Sequence, residues 1–170
     1  MRVTTIEEYL RDGVPLVYDG AMGTEIQKLS LQDENRGEHS PCNEQYNLTR
    51  PDDISALHAA YFEAGATIVE TNTIGGNRVK LAHYGLDDQV FDINLAAARA
   101  ARKAARETGG GRFVCGAMGP TGIMPAADGD VLDYDHIASV YAEQARGLLD
   151  GGVDIVLLET SQLLLELRAA

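Results

Sequence analysis

The sequence contains few cysteines, no tryptophan and few basic residues. Only two of its 170 residues are cysteine, which excludes a disulfide framework of the kind that small secreted domains use. With 14 basic and 26 acidic residues the net charge is −12, which disfavours nucleic acid and anionic membranes as partners, since both require dense Lys and Arg. No run approaches the roughly 20 apolar residues of a membrane span, and residues 1–8 lack an apolar signal core. A cytoplasmic protein is therefore expected.

The two cysteines do not by themselves predict a metal site. His39 and Cys42 have a spacing that could ligate a metal ion, but zinc in proteins usually takes four ligands, so we favour the alternative that both are ordinary loop residues. Cys115 lies in an apolar run and is expected to be a small buried hydrophobic residue. The sequence therefore assigns neither a metal ligand nor a catalytic residue within this chain.

Short apolar runs alternate with long helical patterns, which indicates βαβ units and a parallel sheet. The predicted strands are 15–19, 67–71, 113–118 and 154–160. Helices are predicted to follow them, with Pro51 in a first turn and glycines at the ends, at about 51–64, 79–84, 89–107, 134–149 and from 161 onward.

The spacing of these units favours a barrel. Strand ends recur every 41 to 51 residues, so eight units would exceed the roughly 250 residues of a typical (β/α)8 barrel. Gly-Ala-Met-Gly occurs at 20–23 and at 116–119, each time predicted just after a strand, which indicates equivalent barrel positions or a chance repeat. We predict an α/β fold of the (β/α)8 TIM-barrel type. Residues 1–170 would form its N-terminal half, with about the first four βα units, and the open edge strands suggest truncation or pairing with another chain.

Three of the four predicted strands carry a carboxylate at or next to their carboxyl end, namely Asp19, Glu70 and Glu159. Sites in parallel α/β folds form at the carboxyl ends of strands, so these groups are expected to converge. A buried carboxylate is costly unless it is paired, and a ligand ammonium would pair with it. Backbone amides of the glycine-rich turns would suit a ligand carboxylate, which together describes a site for an amino-acid zwitterion. The alternatives are that the carboxylates cap helices or perform general acid–base catalysis.

Five segments carry motifs in a consistent order along nearly the whole chain: Asp19-Gly20-Ala21-Met22-Gly23-Thr24, the stretch from Cys42-Asn43-Glu44 to Asn47-Leu48-Thr49-Arg50-Pro51, Tyr61 to Ala66 with Glu70-Thr71-Asn72-Thr73, Gly116-Ala117-Met118-Gly119-Pro120, and Leu158-Glu159-Thr160. Together they resemble the homocysteine S-methyltransferases, and within that family the N-terminal module of cobalamin-dependent methionine synthases.

The resemblance implies methyl transfer to sulfur. In this family three cysteine thiolates hold a zinc ion, which binds the sulfur of homocysteine and keeps it as a nucleophilic thiolate. In methionine synthases the methyl donor is methylcobalamin, which is recharged from 5-methyltetrahydrofolate by corrinoid- and folate-binding modules. One alternative is a stand-alone homocysteine methyltransferase that uses S-methylmethionine or betaine. An alternative of another class is a non-catalytic half-barrel binding protein that dimerises.

The resemblance also assigns substrate contacts to residues of this chain. Asp19 and Glu159 would bind the amine of homocysteine, and the amides of Gly20 and Ala21 would bind its carboxylate. Three further residues would line the mouth of the site: Thr71, Asn72 and Met118.

Zinc ligands are expected downstream of this chain. The cysteines that bind zinc in the family lie in the second half of the barrel, and Cys42 and Cys115 do not match their positions. The 170-residue chain alone is therefore expected to be inactive. Leu163 departs from the family pattern, because relatives often carry an aspartate there.

Overall fold

A computed structural model describes residues 5–30, 42–123 and 133–170. They form an α/β fold with a three-stranded parallel sheet of β1 (Ile68–Glu70), β2 (Phe113–Met118) and β3 (Ile155–Leu158). The helices are α1 (Ile6–Arg11), α2 (Met22–Ser30), a short 3-10 helix (Asn43–Gln45), α3 (Tyr46–Thr49), α4 (Pro51–Glu63), α5 (Arg78–Ala82), α6 (Val90–Glu107), α7 (Tyr134–Gly151) and α8 (Leu164–Ala169). His39 lies outside the described residues.

The strands lie side by side in chain order, β1-β2-β3, with parallel pairing throughout. A doubly wound sheet would instead reverse its strand order at a switch point. Each crossover contains helix, as parallel pairing requires, with α5 and α6 between β1 and β2 and α7 between β2 and β3. This sequential order is compatible with a (β/α)8 barrel.

The prediction of a regular strand at 15–19 is wrong. The segment is extended beside β1, but its pairing is a single parallel bridge between Tyr18 and Ile68. The Asp19 amide donates to the Ile68 carbonyl at 3.0 Å, whereas the Val17 amide donates to the side-chain hydroxyl of Thr67 at 2.7 Å. A side chain therefore replaces a backbone acceptor, which interrupts the regular ladder.

Side-chain alternation gives the sheet two different faces. On one face Ile68, Phe113 and Cys115 cluster together, and Ile155 packs against them. Helix α1 covers part of this face through Tyr9, whose ring meets that of Phe113 edge-on at 5.4 Å. On the opposite face, residues of β1 and β2 pack with α4 and α6. The prediction that Cys115 is a buried core residue is confirmed, because it is 0% exposed.

The helices after the sheet strands follow the predicted pattern closely. The predicted 89–107 and 134–149 correspond to α6 and α7, and the alanine-rich α6 packs tightly on α7. A Cβ at Gly151 of α7 would lie 2.3 Å from the Cβ of Ala98, so glycine is what permits this approach. No helix in the described ranges is both long and apolar enough to cross a membrane.

Two features near the amino terminus differ from the sequence-based interpretation. Helices α1 and α2, of six and nine residues, were not predicted. For α1 the capping box formed by Thr5 and Glu8 was an available signal. The two Gly-Ala-Met-Gly motifs are also not equivalent. The first leads into α2, whereas residues 116–118 of the second belong to β2 itself.

His58 in α4 is expected to make stability depend on pH. Its side chain is 0% exposed, neither ring nitrogen has a hydrogen-bond partner within the described residues, and burial lowers its pKa to about 4. The unfolded chain, with a His pKa near 6.5, binds more protons at acidic pH. This contribution is therefore complete above about pH 6.5 and is lost as the pH falls toward 4, by up to about 3 kcal/mol.

Replacing His58 with leucine should remove this dependence. Urea unfolding between pH 4.5 and pH 7 is expected to give a flatter stability profile for His58→Leu than for the wild type. The exposed His83 provides the control, and His83→Gln should retain the wild-type profile. An unchanged slope in His58→Leu would contradict the prediction.

Candidate functional site

A cavity of about 260 Å³ lies at the carboxyl end of the sheet, and Asp19, Glu70 and Glu159 all line it. Asp19 ends the extended segment beside β1, Glu70 ends β1 and Glu159 follows β3. Side chains two residues apart on a strand point to the same face of the sheet. Glu70 therefore shares a face with Ile68, and Glu159 shares it with Leu157, on the side away from the main helices. The chain thus brings together three carboxylates separated by up to 140 positions in the sequence.

The three carboxylates hold their protons more tightly than isolated ones. Burial raises the pKa of Glu70 to about 7, with the charges of Glu159 and Asp19 adding to the effect. Burial raises the pKa of Asp19 to about 6, and the negative charge of Glu159 adds to this effect. The Glu70 amide, which donates to Asp19 Oδ2 at 3.0 Å, acts in the opposite direction. Burial also raises the pKa of Glu159. None of the three has an ion-pair partner among the described residues, so the cavity favours a cationic ligand.

The turn between Asp19 and α2 supplies backbone donors to the same cavity. Gly20 and Ala21 line it, and within the described chain their amides donate to no acceptor. They lie immediately before the first turn of α2, where the helix dipole favours a negative group. The hydroxyl of Tyr61 donates to the Ala21 carbonyl at 3.0 Å. The Tyr61 ring packs so closely against Gly20 that a Cβ at Gly20 would lie 3.2 Å from Tyr61 Cε1. The hydrogen bond and this packing hold the turn in place.

Thr71 borders the cavity, but its hydroxyl is used inside the protein. The Ala117 amide donates to Thr71 Oγ1 at 3.1 Å, and Thr73 Oγ1 donates to the Ala117 carbonyl at 2.7 Å. The Thr71 hydroxyl is consequently the donor in its 2.6 Å bond to Thr73 Oγ1. This closed set of bonds ties the segment after β1 to β2, so Thr71 shapes the cavity wall.

Asn72 likewise borders the cavity and holds neighbouring segments in place. Its side-chain amide donates to the Asn43 carbonyl at 2.7 Å and to Asn47 Oδ1 at 3.2 Å. Asn47 Nδ2 donates back to the Asn72 carbonyl at 2.8 Å. Glu44 closes the same region, because its buried carboxylate accepts from the Gly75 amide at 2.8 Å. The 3-10 helix is thereby fastened to the loop after β1.

Met118 does not line the cavity, contrary to the sequence-based assignment. It is 2% exposed and packs with Ala98, Ile137 and Leu148 in the core beneath α6 and α7. The reason is the two-residue period of β2, which places Met118 on the opposite face from Cys115. Counting positions along the predicted strand 113–118 could have detected this.

Other cavity residues were missing from the sequence-based site. Glu70 was noted as a strand-end carboxylate but was not assigned to the substrate. The remainder lie in the first turn of α2, in the 3-10 helix and in the loop after β1, where no periodic pattern signals a site: Met22, Gly23, Asn43, Glu44, Thr73 and Ile74.

The described part of the chain does not fit a zinc site. It contains no group of three or more His, Cys, Asp or Glu side chains placed to hold a metal ion. Cys42 and Cys115 are both buried, and burial, with the charges of Glu44 and Glu70 respectively, raises the pKa of each thiol to about 12. Zinc binds the thiolate form, which these surroundings oppose.

Comparison with known proteins identifies the family of this chain. Residues 16–170 match the family model described as homocysteine S-methyltransferase. The chain is 44% identical over 159 residues to the methionine synthase of Mycobacterium tuberculosis and 43% identical to that of Mycobacterium leprae, in each case over 91% of this chain. It spans only 13% of the length of either protein.

The fold resembles that of the Escherichia coli homocysteine methyltransferase MmuM. The TM-score is 0.74 for the crystal structure of its oxidised form, at 24% identity, and 0.75 for the metallated form, at 22% identity. The matches cover 91% and 94% of this chain, and 56% and 59% of the respective MmuM chains. The family model matches nearly the whole sequence, and on that ground the chain belongs to the homocysteine S-methyltransferase family.

Proposed function

We propose that the cavity binds the amino-acid end of homocysteine. The single observation that carries this proposal is the placement of three carboxylates without an ion-pair partner beside two unused backbone amides. Asp19 and Glu159 would hold the ammonium, with Glu70 adding negative charge, and the amides of Gly20 and Ala21 would bind the carboxylate. Thr71 and Asn72 would support the wall through their internal hydrogen bonds.

The raised pKa values of the carboxylates link substrate binding to proton release. In the empty site Glu70, with a pKa of about 7, is partly protonated at neutral pH. An ammonium bound nearby stabilises the ionised form and lowers that pKa, so binding should release protons. The general acid–base alternative has less support, because no described Lys or His lines the cavity to share the task.

We also propose that residues 1–170 form the N-terminal half of a (β/α)8 barrel domain. The sequential parallel strand order supports this, as does the coverage of little more than half of the MmuM chain. Strand β3 is only partly buried, with Val156 38% exposed, whereas every residue of β2 is buried. A following strand would cover β3, and the same chain continuation would shield Tyr18 at the other edge.

The activity we propose is that of a methionine synthase, with transfer of a methyl group to homocysteine to give methionine. The 43–44% identity to two methionine synthases supports this over a stand-alone enzyme using S-methylmethionine or betaine. Zinc ligands, methylcobalamin and the corrinoid- and folate-binding modules would belong to sequence outside this chain. The role left to the described residues is to bind and orient the substrate.

Binding of homocysteine and two truncated analogues to the full-length protein tests this function. Isothermal titration calorimetry should give tight binding for homocysteine and binding at least about tenfold weaker for 4-sulfanylbutanoate, which lacks the amine, because a charge-assisted bond is lost. 3-Sulfanylpropylamine, which lacks the carboxylate, should be weakened similarly. If both analogues bind as tightly as homocysteine, the cavity does not recognise the zwitterion.

A further inference from the structure

Glu166 in α8 is a buried carboxylate that the proposed substrate site does not use. It is 2% exposed, and its Oε1 accepts hydrogen bonds from both the amide of Thr121, at 2.9 Å, and the hydroxyl of Thr121. Burying a carboxylate is costly unless its hydrogen bonds are satisfied. These two bonds tie α8 to the loop that follows β2.

Helix α8 depends on such contacts for its position. It has only six residues, too few for a helix that is stable without tertiary packing. Its first anchor is the pair of bonds from Thr121 to Glu166. A second lies at its end, where the Tyr134 hydroxyl donates to the Arg168 carbonyl at 2.7 Å.

The chain between Glu159 and α8 makes an unfavourable bend. Thr160 has φ of +57°, the only positive φ of a non-glycine residue in the described ranges. A β-branched residue rarely adopts this left-handed conformation, and it persists only where the surroundings enforce it. Immediately before it, the Glu159 amide donates to the Met118 carbonyl at 3.1 Å. The residue before the bend is thus hydrogen-bonded to Met118. The helix after the bend is hydrogen-bonded to Thr121 through Glu166.

We infer that Glu166 is a positioning residue, which acts through Thr121 to hold the bend at Thr160 and thereby keeps the Glu159 carboxylate in the cavity. The inference rests on the proposed function for its substrate readout, but the tether itself is a property of the fold. Without it the strain at Thr160 can relax, and Glu159, the residue adjoining Thr160, moves with it.

Four variants of the full-length protein test this: Glu166→Ala, Glu166→Gln, Thr160→Gly and the double variant Glu166→Ala/Thr160→Gly. Glu166→Ala should raise KM for homocysteine about tenfold and leave kcat little changed. A tenfold change lies within the free energy that relief of one strained residue can supply. Glu166→Gln should stay near the wild type, because its amide oxygen can accept both bonds. The double variant should recover most of the lost affinity, because glycine adopts the left-handed conformation without strain.

Hydrogen–deuterium exchange of the peptide spanning 158–166 supplies a readout that does not depend on homocysteine. Exchange should be faster in Glu166→Ala than in the wild type and should slow again in the double variant. If Thr160→Gly does not reduce the effect of Glu166→Ala on either measurement, or if Glu166→Gln is as damaging as Glu166→Ala, the inference is wrong. If the wild type binds no homocysteine but exchange follows the expected pattern, the proposed function fails and the tether stands.

Discussion

Replacing Glu159 with glutamine is expected to raise KM for homocysteine by roughly 10- to 100-fold in the full-length protein, with a much smaller change in kcat. The range corresponds to the loss of one charge-assisted hydrogen bond, about 1.5–3 kcal/mol. The effect should be large because the Glu159 side chain accepts no hydrogen bond from another described residue, so its carboxylate is available to the ligand. A change confined to KM would identify binding rather than chemistry.

The control for this variant is a glutamate of the same chain that lies far from the cavity. Glu107 is exposed at the end of α6, and Glu107→Gln should leave both kinetic constants unchanged. Thermal unfolding of both variants excludes loss of structure as the cause. A KM for Glu159→Gln within twofold of the wild type would remove Glu159 from the substrate site.

The substitution Glu70→Gln should stabilise the empty protein at pH 8 while weakening substrate binding. Glu70 has a folded pKa of about 7, raised first by burial and then by Glu159 and Asp19, against an unfolded value near 4.3. The folded state therefore binds more protons between these values. The stability associated with Glu70 is complete below about pH 4.3 and is lost as the pH rises through about 7. A neutral glutamine avoids that loss, by about 1–2 kcal/mol at pH 8 after allowance for solvent screening.

Urea unfolding at pH 5 and pH 8 measures this effect. The stability advantage of Glu70→Gln should be largest at pH 8 and about a third as large at pH 5, where the folded carboxyl is protonated but the unfolded one is already mostly ionised. Glu63→Gln, at the exposed end of α4, should show no such difference. Equal stability of Glu70→Gln and the wild type at pH 8 would mean that neither burial nor the neighbouring carboxylates destabilise the ionised Glu70 in the empty cavity. The expected result would also indicate that the site trades stability for affinity toward a cation.

Much of the site could be predicted because strand ends are a local property of the sequence. An apolar run that closes on a carboxylate marks the end of a strand, and parallel strands bring such ends to one edge of a sheet. Asp19 and Glu159 were found in this way, and the Gly20–Ala21 turn followed from its glycine. Met118 was assigned to the site through the family resemblance, whereas the alternation of side chains along β2 turns it toward the opposite face.

What the sequence determined by itself is therefore the α/β class, the parallel sheet, the long helices and the acidic strand ends, since each depends on periodicity and composition within a few neighbouring residues. Only the tertiary structure decided how polar groups distant in sequence share hydrogen bonds. Thr67 takes over a backbone bond of the first strand, Thr71 and Asn72 turn inward, and Glu166 reaches Thr121. The physical reason is that a buried polar group must find a partner wherever the fold supplies one, and no local pattern specifies which partner that is.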